Sequence, residues 1–317
     1  MTEPFIYPPV PSRKQSIEQT PIDQTPIDQT PIEQPPAEET VTMYDSVFKC
    51  PSCHNRLQTA TAEGAKSYRC SNNHNFDMAK EGYLNLLLAQ HKRSRNPGDS
   101  DDMIRSRQRF LNGGYYQTLA DAIVKQVGIG PDNQRVLDMG CGEGYYMDQL
   151  RQRSDTLQLT GIDISKTAVR LAAKRKMNAQ LAVDSAFSMP LHSDSIDCAI
   201  SIFSPVSAKD TARVLVPGGS LIMVGPGEQH LSGLTAHIYS DRVPHQGNNL
   251  DDSLGDFSLQ ETLEIKDSIT ITGPDILDLL KMTPYYWHAR AEQQALIANL
   301  KTLETVIHFM IKIYKLK

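Results

Sequence analysis

The sequence predicts an α/β chain: a doubly wound parallel sheet with a glycine loop at its centre, preceded by a small metal-binding unit and a disordered tail. Three observations carry this reading. Val136-Leu137-Asp138-Met139 is an apolar strand that runs straight into Gly140-Cys141-Gly142-Glu143-Gly144. A second acidic residue, Asp163, closes the next apolar stretch, one strand–helix–strand step later. Cys50, Cys53, Cys70 and His74 form two short chelating turns upstream. With 317 residues the chain is long enough for one large core and a small appendage.

The segments follow in order. Residues 1–42 repeat Thr-Pro-Ile-Asp-Gln from Thr20 onward, with no Lys or Arg between Lys14 and Lys49. A pentad with one isoleucine and one proline builds neither a helix nor a core, so an extended disordered tail is expected. Residues 43–80 are expected to form the metal-binding ribbon, and 81–130 a mainly helical, basic linker. Residues 131–317 are expected to be the main domain. Within it, strands are expected to end at Asp163 and near Asp184, and to span Ser195–Ile202 and Ser220–Val224. Arg213–Gly219 reads as a helix end and turn. Leu259–Ile271 suggests strands, Pro274–Leu280 and Glu292–Thr302 helices, and Val306–Tyr314 a last strand.

The glycine loop is G-x-G-x-G. A dinucleotide fingerprint would need glycine at 145, which is Tyr145. Glu143 adds negative charge at the helix start, where a pyrophosphate would otherwise sit. An acidic glycine loop suits a cationic ligand without phosphate, and S-adenosylmethionine fits. Asp163 stands where a carboxylate accepts both ribose hydroxyls. Asp184 ends the next strand and is expected to reach the adenine amino group. Together the elements match the class I (Rossmann-like) S-adenosylmethionine-dependent methyltransferase pattern. The plainer alternative is a doubly wound domain with an ordinary tight turn.

The first knuckle is C-x2-C and the second C-x3-H, with sixteen residues between them. Three sulfurs and one nitrogen make a closed structural zinc site, and thiolates exclude magnesium and calcium. His54 is the rival ligand, and a redox C-x-x-C pair the alternative use. Five sparse cysteines argue for a reducing, cytoplasmic setting rather than a disulfide framework. No apolar run of about eighteen residues is present, so no membrane span is expected. Overall charge is a mild −5, yet six Lys and Arg fall within residues 92–109. That excess is either a phosphate footprint for RNA or a helix face paired with Asp99, Asp101 and Asp102.

Phe48-Lys49-Cys50-Pro51-Ser52-Cys53, Cys70…His74 with Lys80-Glu81-Gly82-Tyr83, and Asn96-Pro97-Gly98-Asp99-Ser100 resemble the 23S ribosomal RNA (guanine-N1)-methyltransferase family. The resemblance continues through Gly140–Tyr146, Pro226–Leu231 and Met282–Trp287, and covers 46–317. It implies methylation of N1 of a guanine in a hairpin loop of 23S rRNA domain II, with S-adenosylmethionine as donor. It implies zinc on Cys50, Cys53, Cys70 and His74. It implies a cofactor site lined by Tyr116, the loop Gly140, Cys141, Gly142, Glu143 and Gly144, Asp163 and His230. The Gly-Glu-Gly-Tyr-Tyr loop and Met-Thr-Pro-Tyr-Tyr-Trp stretch are similar to the Gram-negative type. The 23S rRNA hairpin is the expected partner, and a homodimer is compatible with the sequence. No catalytic base is assigned; Asp99, Asp101 and Asp102 are the candidates. Rival functions are a small-molecule methyltransferase and a zinc-dependent RNA-binding protein with a degenerate methyltransferase fold.

Overall fold

The structure, a computed structural model, describes residues 46–62, 65–91, 97–128, 130–240 and 255–317. The repeat tail 1–42 and the basic residues Lys92, Arg93 and Arg95 lie outside the described residues.

The ribbon is a three-stranded antiparallel sheet of β1 (Gln58–Ala62), β2 (Ala65–Arg69) and β3 (Asn75–Asp77), in that order. Its two knuckles are backbone-closed turns. His54 N–H donates to the Cys50 carbonyl at 2.8 Å, and Asn73 N–H to the Cys70 carbonyl at 2.9 Å. Asn73 is left-handed at φ 62°, which asparagine tolerates better than most residues.

The segment after the ribbon opens on a two-residue strand, β4 (Leu84–Asn85). Helices α1 (Asp101–Asn112) and α2 (Gln117–Val127) follow. Ser100 caps α1 by accepting from Met103 N–H, and Asp101 and Asp102 complement the dipole of its first turn. The main domain then runs β5 (Arg135–Met139), α3 (Tyr145–Arg153), β6 (Gln158–Asp163), α4 (Lys166–Lys174), β7 (Gln180–Val183) and β8 (Ile196–Ile202). It continues with α5 (Ala208–Val214), β9 (Leu215–Pro226), α6 (Ser232–Thr235) and β10 (Phe257–Thr272). It closes with α7 (Asp275–Lys281), α8 (Tyr285–His288), α9 (Ala291–Ala298) and β11 (Thr302–Leu316).

The large sheet has eight strands in the order β10-β11-β9-β8-β5-β6-β7-β4, parallel except for β11. The chain turns back on either side of β5, which puts the switch point at its carboxyl end, where Gly140–Gly144 lies. This is the class I Rossmann-like methyltransferase fold with an N-terminal zinc ribbon. Strand side chains alternate between two cores. Val136, Cys198, Ile200 and Ile222 enter one; Leu137, Met139, Ala199 and Leu221 enter the other. The second core also holds Phe48, Cys50, Leu57, Tyr68 and Cys70, so the ribbon covers a sheet face as a helix layer would.

Three boundaries differ from the sequence reading. Arg213–Gly219 is not a helix end and turn: α5 stops at Val214 and β9 begins at Leu215. Pro217-Gly218-Gly219 instead sits in a register break between the Ile196↔Leu215 and Cys198↔Ser220 pairings, a place where a sheet accepts proline. The helix expected over Glu292–Thr302 ends at Ala298, so β11 starts earlier than Val306. The third difference is β4, whose Leu84 and Asn85 add a parallel edge to β7 within a segment expected to be mainly helical.

Candidate cofactor site and metal centre

In the ribbon, Cys50, Cys53, Cys70 and His74 place one donor atom each within 4.8 Å of one another. The His74 Nδ1 lies 3.5 Å from Cys50 Sγ and 3.4 Å from Cys70 Sγ, and the Cys53 and Cys70 sulfurs are 3.5 Å apart. All five cysteines are free thiols. A tetrahedron with metal–ligand bonds of about 2.0–2.3 Å has edges of roughly 3.3–3.8 Å, so the donor set fits zinc. His54 is outside the cluster; its left-handed backbone, φ 61°, turns the chain after Cys53.

At the switch point a cavity of about 680 Å³ opens over the glycine loop. That is the size of a small-molecule or cofactor site. Of the sequence-predicted cofactor residues, Tyr116, Gly140, Cys141, Gly142, Glu143, Asp163 and His230 line it. Asp163 Oδ2 accepts Gly142 N–H at 2.9 Å and Oδ1 accepts Ser165 N–H at 2.7 Å. Each oxygen keeps acceptor capacity beyond these bonds. Burial pushes the Asp163 carboxyl up, and the two amides pull it back. His230 Nδ1 accepts the His308 N–H at 3.2 Å, so a neutral ring carries its proton on Nε2 and donates to Tyr116 Oη at 3.3 Å. Burial drives the Tyr116 phenol far above its ordinary range, so it stays protonated.

Two predicted residues stand outside the lining. Gly144 is the N-cap of α3, backed by Ala172 and Met177, and lets two helices approach. Asp184 is buried, and its Oδ1 accepts the Ser185 N–H at 2.7 Å rather than facing the cavity. Burial raises its carboxyl to about 7. The charge of Glu143 is also not offered freely: Arg175 binds its carboxylate and its carbonyl, and spans to Asp148 and Asn112.

The sequence reading missed several lining residues. Asp138 is one: burial, with Asp163 and Glu143 adding repulsion, lifts its carboxyl to about 8. The lone acid in an apolar strand was the available signal. Gly98 is another, beside Asp99, which the sequence offers as a candidate base. A Cβ on Gly98 would sit 3.0 Å from Ile164 Cγ2, and its φ of +88° is one glycine adopts freely. This close approach lays the Pro-Gly-Asp turn against Asp163's neighbours and brings Asp99 to the rim, where it pairs with Arg107 at 2.7 Å. Of the three candidate bases only Asp99 lines the cavity; Asp102 pairs with Lys281. Arg109 is committed to Asp278, so two of the three α1 arginines hold carboxylates of this chain.

At the carboxyl end of β8, Phe203 lines the cavity with Ser204 and Pro205. Phe203 is left-handed, φ 54°, at a cost of about 1–2 kcal/mol for a bulky residue. From the β10–β11 connection come Met282, Thr283, Pro284 and Tyr285. The lining carries more carboxylates than guanidinium groups, which suits a cationic ligand. Among the described residues no helix is long and apolar enough to cross a membrane.

Residues 48–95 match the zinc-ribbon family described as RlmA, N-terminal, and residues 136–219 match a family described as Methyltransferase domain. A "Putative 23S rRNA (guanine-N(1)-)-methyltransferase" of Micromonospora griseorubida is 31% identical over 81% of this chain and 93% of its own length. The 23S rRNA (guanine(748)-N(1))-methyltransferase of Streptomyces fradiae is 28% identical over 78% and 88%. The "Putative 23S rRNA (guanine-N(1)-)-methyltransferase YxjB" of Bacillus subtilis is 28% identical over 83% and 94%.

Proposed function

The chain belongs to the 23S rRNA (guanine-N1)-methyltransferase family, and on that premise we propose that it methylates N1 of a guanine in a hairpin loop of domain II of 23S rRNA. S-adenosylmethionine, bound in the cavity, would supply an electrophilic methyl group. Asp163 would accept the ribose hydroxyls with the lone pair left on each oxygen, and Gly142, where a Cβ would meet only open space, would let the ligand approach the backbone. Tyr116 and His230 would form the wall opposite the loop. Asp184 would act on the adenine side through Oδ2, since its Oδ1 accepts the Ser185 amide. Cys50, Cys53, Cys70 and His74 would hold a structural zinc.

The observation that carries the reading is the single cavity in which the acid-ended strands β5 and β6 meet the residues after β8 and the Met-Thr-Pro-Tyr stretch. Guanine N1 bears a proton and sits on the pairing edge. The base must therefore be unpaired to enter, and its proton needs an acceptor. The finer type is read from the Gly142–Tyr146 loop and the Met282–Trp287 stretch, which are similar to the Gram-negative type; the relatives reported above are Gram-positive. A reducing, cytoplasmic setting follows from a ribosomal substrate and a thiolate metal site.

The test is incubation of purified protein with S-adenosylmethionine and 23S rRNA from cells lacking the modification. N1 methylation blocks Watson–Crick pairing, so reverse transcription should stop beside one guanine. Methyl transfer to small molecules but not to RNA would favour the small-molecule rival. RNA binding without transfer would favour the degenerate RNA-binding protein.

A further inference from the structure

We propose that Phe203 is the platform on which the accepting guanine stacks, an inference that rests on the rRNA reading and assigns a residue to the base. The case begins with an oddity of sequence. The turn after β8 requires a left-handed residue, where glycine or asparagine would sit at lower cost, yet the position holds phenylalanine at φ 54°. The turn is over-determined by its surroundings. Phe203 N–H still donates to the Val224 carbonyl at 3.0 Å, continuing the sheet. Ser201 Oγ donates to the Ser204 carbonyl at 2.8 Å and closes the bend. Ser204 then packs onto Gly140 where any Cβ would collide, so the turn and the cofactor loop fix each other.

The ring is not spent on the core. It is 42% exposed, one of few large apolar side chains so exposed among the described residues, and it lines the cavity. On its protein side it rests on His230, centroids 5.7 Å apart and planes 31° apart, and meets Phe309 edge-on at 5.9 Å. His230 is in turn bonded to Tyr116 and to the His308 amide. Strain held by a rigid surround and an aromatic face left toward a cofactor-sized cavity together describe a preorganised stacking surface. Purine bases stack on such faces, and RNA enzymes that act on a pairing edge receive the base unstacked from its neighbours.

The experiment compares Phe203→Leu, Phe203→Ala and Phe203→Tyr with the wild type. The leucine and alanine variants should lose about 5- to 150-fold in kcat/KM for 23S rRNA, the span of one lost base–aromatic stack. Phe203→Tyr should stay within about threefold, and affinity for S-adenosylhomocysteine should be unchanged in all three. A leucine variant as active as the wild type overturns the proposal, as does cofactor affinity falling in step with activity. A second readout is independent of turnover. Phe203→Trp in a Trp287→Phe background carries one indole, whose fluorescence should be quenched on titration with transcribed 23S rRNA. An indole indifferent to RNA overturns the proposal. Quenching without methyl transfer by the wild type would retain the stacking surface while removing the reaction.

Discussion

Asp163 spends each carboxylate oxygen once inside the protein, on the amides of Gly142 and Ser165. Asp163→Ala should weaken cofactor binding by about 1–3 kcal/mol, the loss expected for charged hydrogen-bond acceptors. Calorimetry with S-adenosylhomocysteine measures it, RNA affinity should stay constant, and an unaltered dissociation constant would remove Asp163 from the site. Asp138 predicts a pH effect. Its carboxyl is raised to about 8 by burial, so the fold retains a proton that the unfolded chain has released. The stabilisation from that proton is complete below the ordinary carboxylate range and is lost as pH rises through about 8. Asp138→Asn should therefore gain stability relative to the wild type as pH climbs from 5 to 8. A cationic ligand favours the ionised carboxylate, so binding S-adenosylmethionine near pH 7 should release a proton and tighten toward pH 8. Binding heats that are identical in phosphate and Tris would show that no proton moves.

At the scale of elements, the ribbon docks through Phe48, which is 1% exposed and bridges Leu191, while Lys49 N–H donates to the Pro190 carbonyl at 2.8 Å. Phe48→Ala should cost about 3–5 kcal/mol in denaturant unfolding, as for other buried aromatic truncations. A loss below about 1 kcal/mol would mean that the ribbon's docking contributes little. What the sequence revealed here was what short-range chemistry encodes. The knuckles and the glycine loop are set by spacing within a few residues, so they were legible. Two-residue β4 exists only because Leu84 and Asn85 find β7, and nothing local announces it. Arg109 looked available for phosphate because its partner, Asp278, is 169 residues away in sequence. Asp184 was expected near the adenine because it ends the third strand; in the structure its Oδ1 accepts the next amide, a local bond that spacing along the chain did not announce. Phe203 joins the site from a distant turn and carried no motif of its own.

Across the whole molecule, Cys50 and Cys70 are buried in the same cluster as Leu137 and Met139 of the central strand. Removing the metal with a chelator should therefore lower the melting temperature of the entire protein as one cooperative transition. An early ribbon transition followed by an unshifted main one would show that the two cores are energetically separate.

The placement of β11 has a consequence for biosynthesis. This strand lies between β9 and β10, although it follows both in the chain. Until Thr302–Leu316 clears the ribosome, β9 presents an open edge and the sixteen residues of β10 have no neighbour to pair with. About 90 residues separate the end of β9 from the end of β11, roughly 5 to 20 s of elongation at about 5–20 residues per second. During that interval the nascent chain carries exposed strand edges. The exposed charges Glu261, Glu264, Lys266 and Asp267 along β10 are suited to keep it from pairing with the wrong chain while it waits.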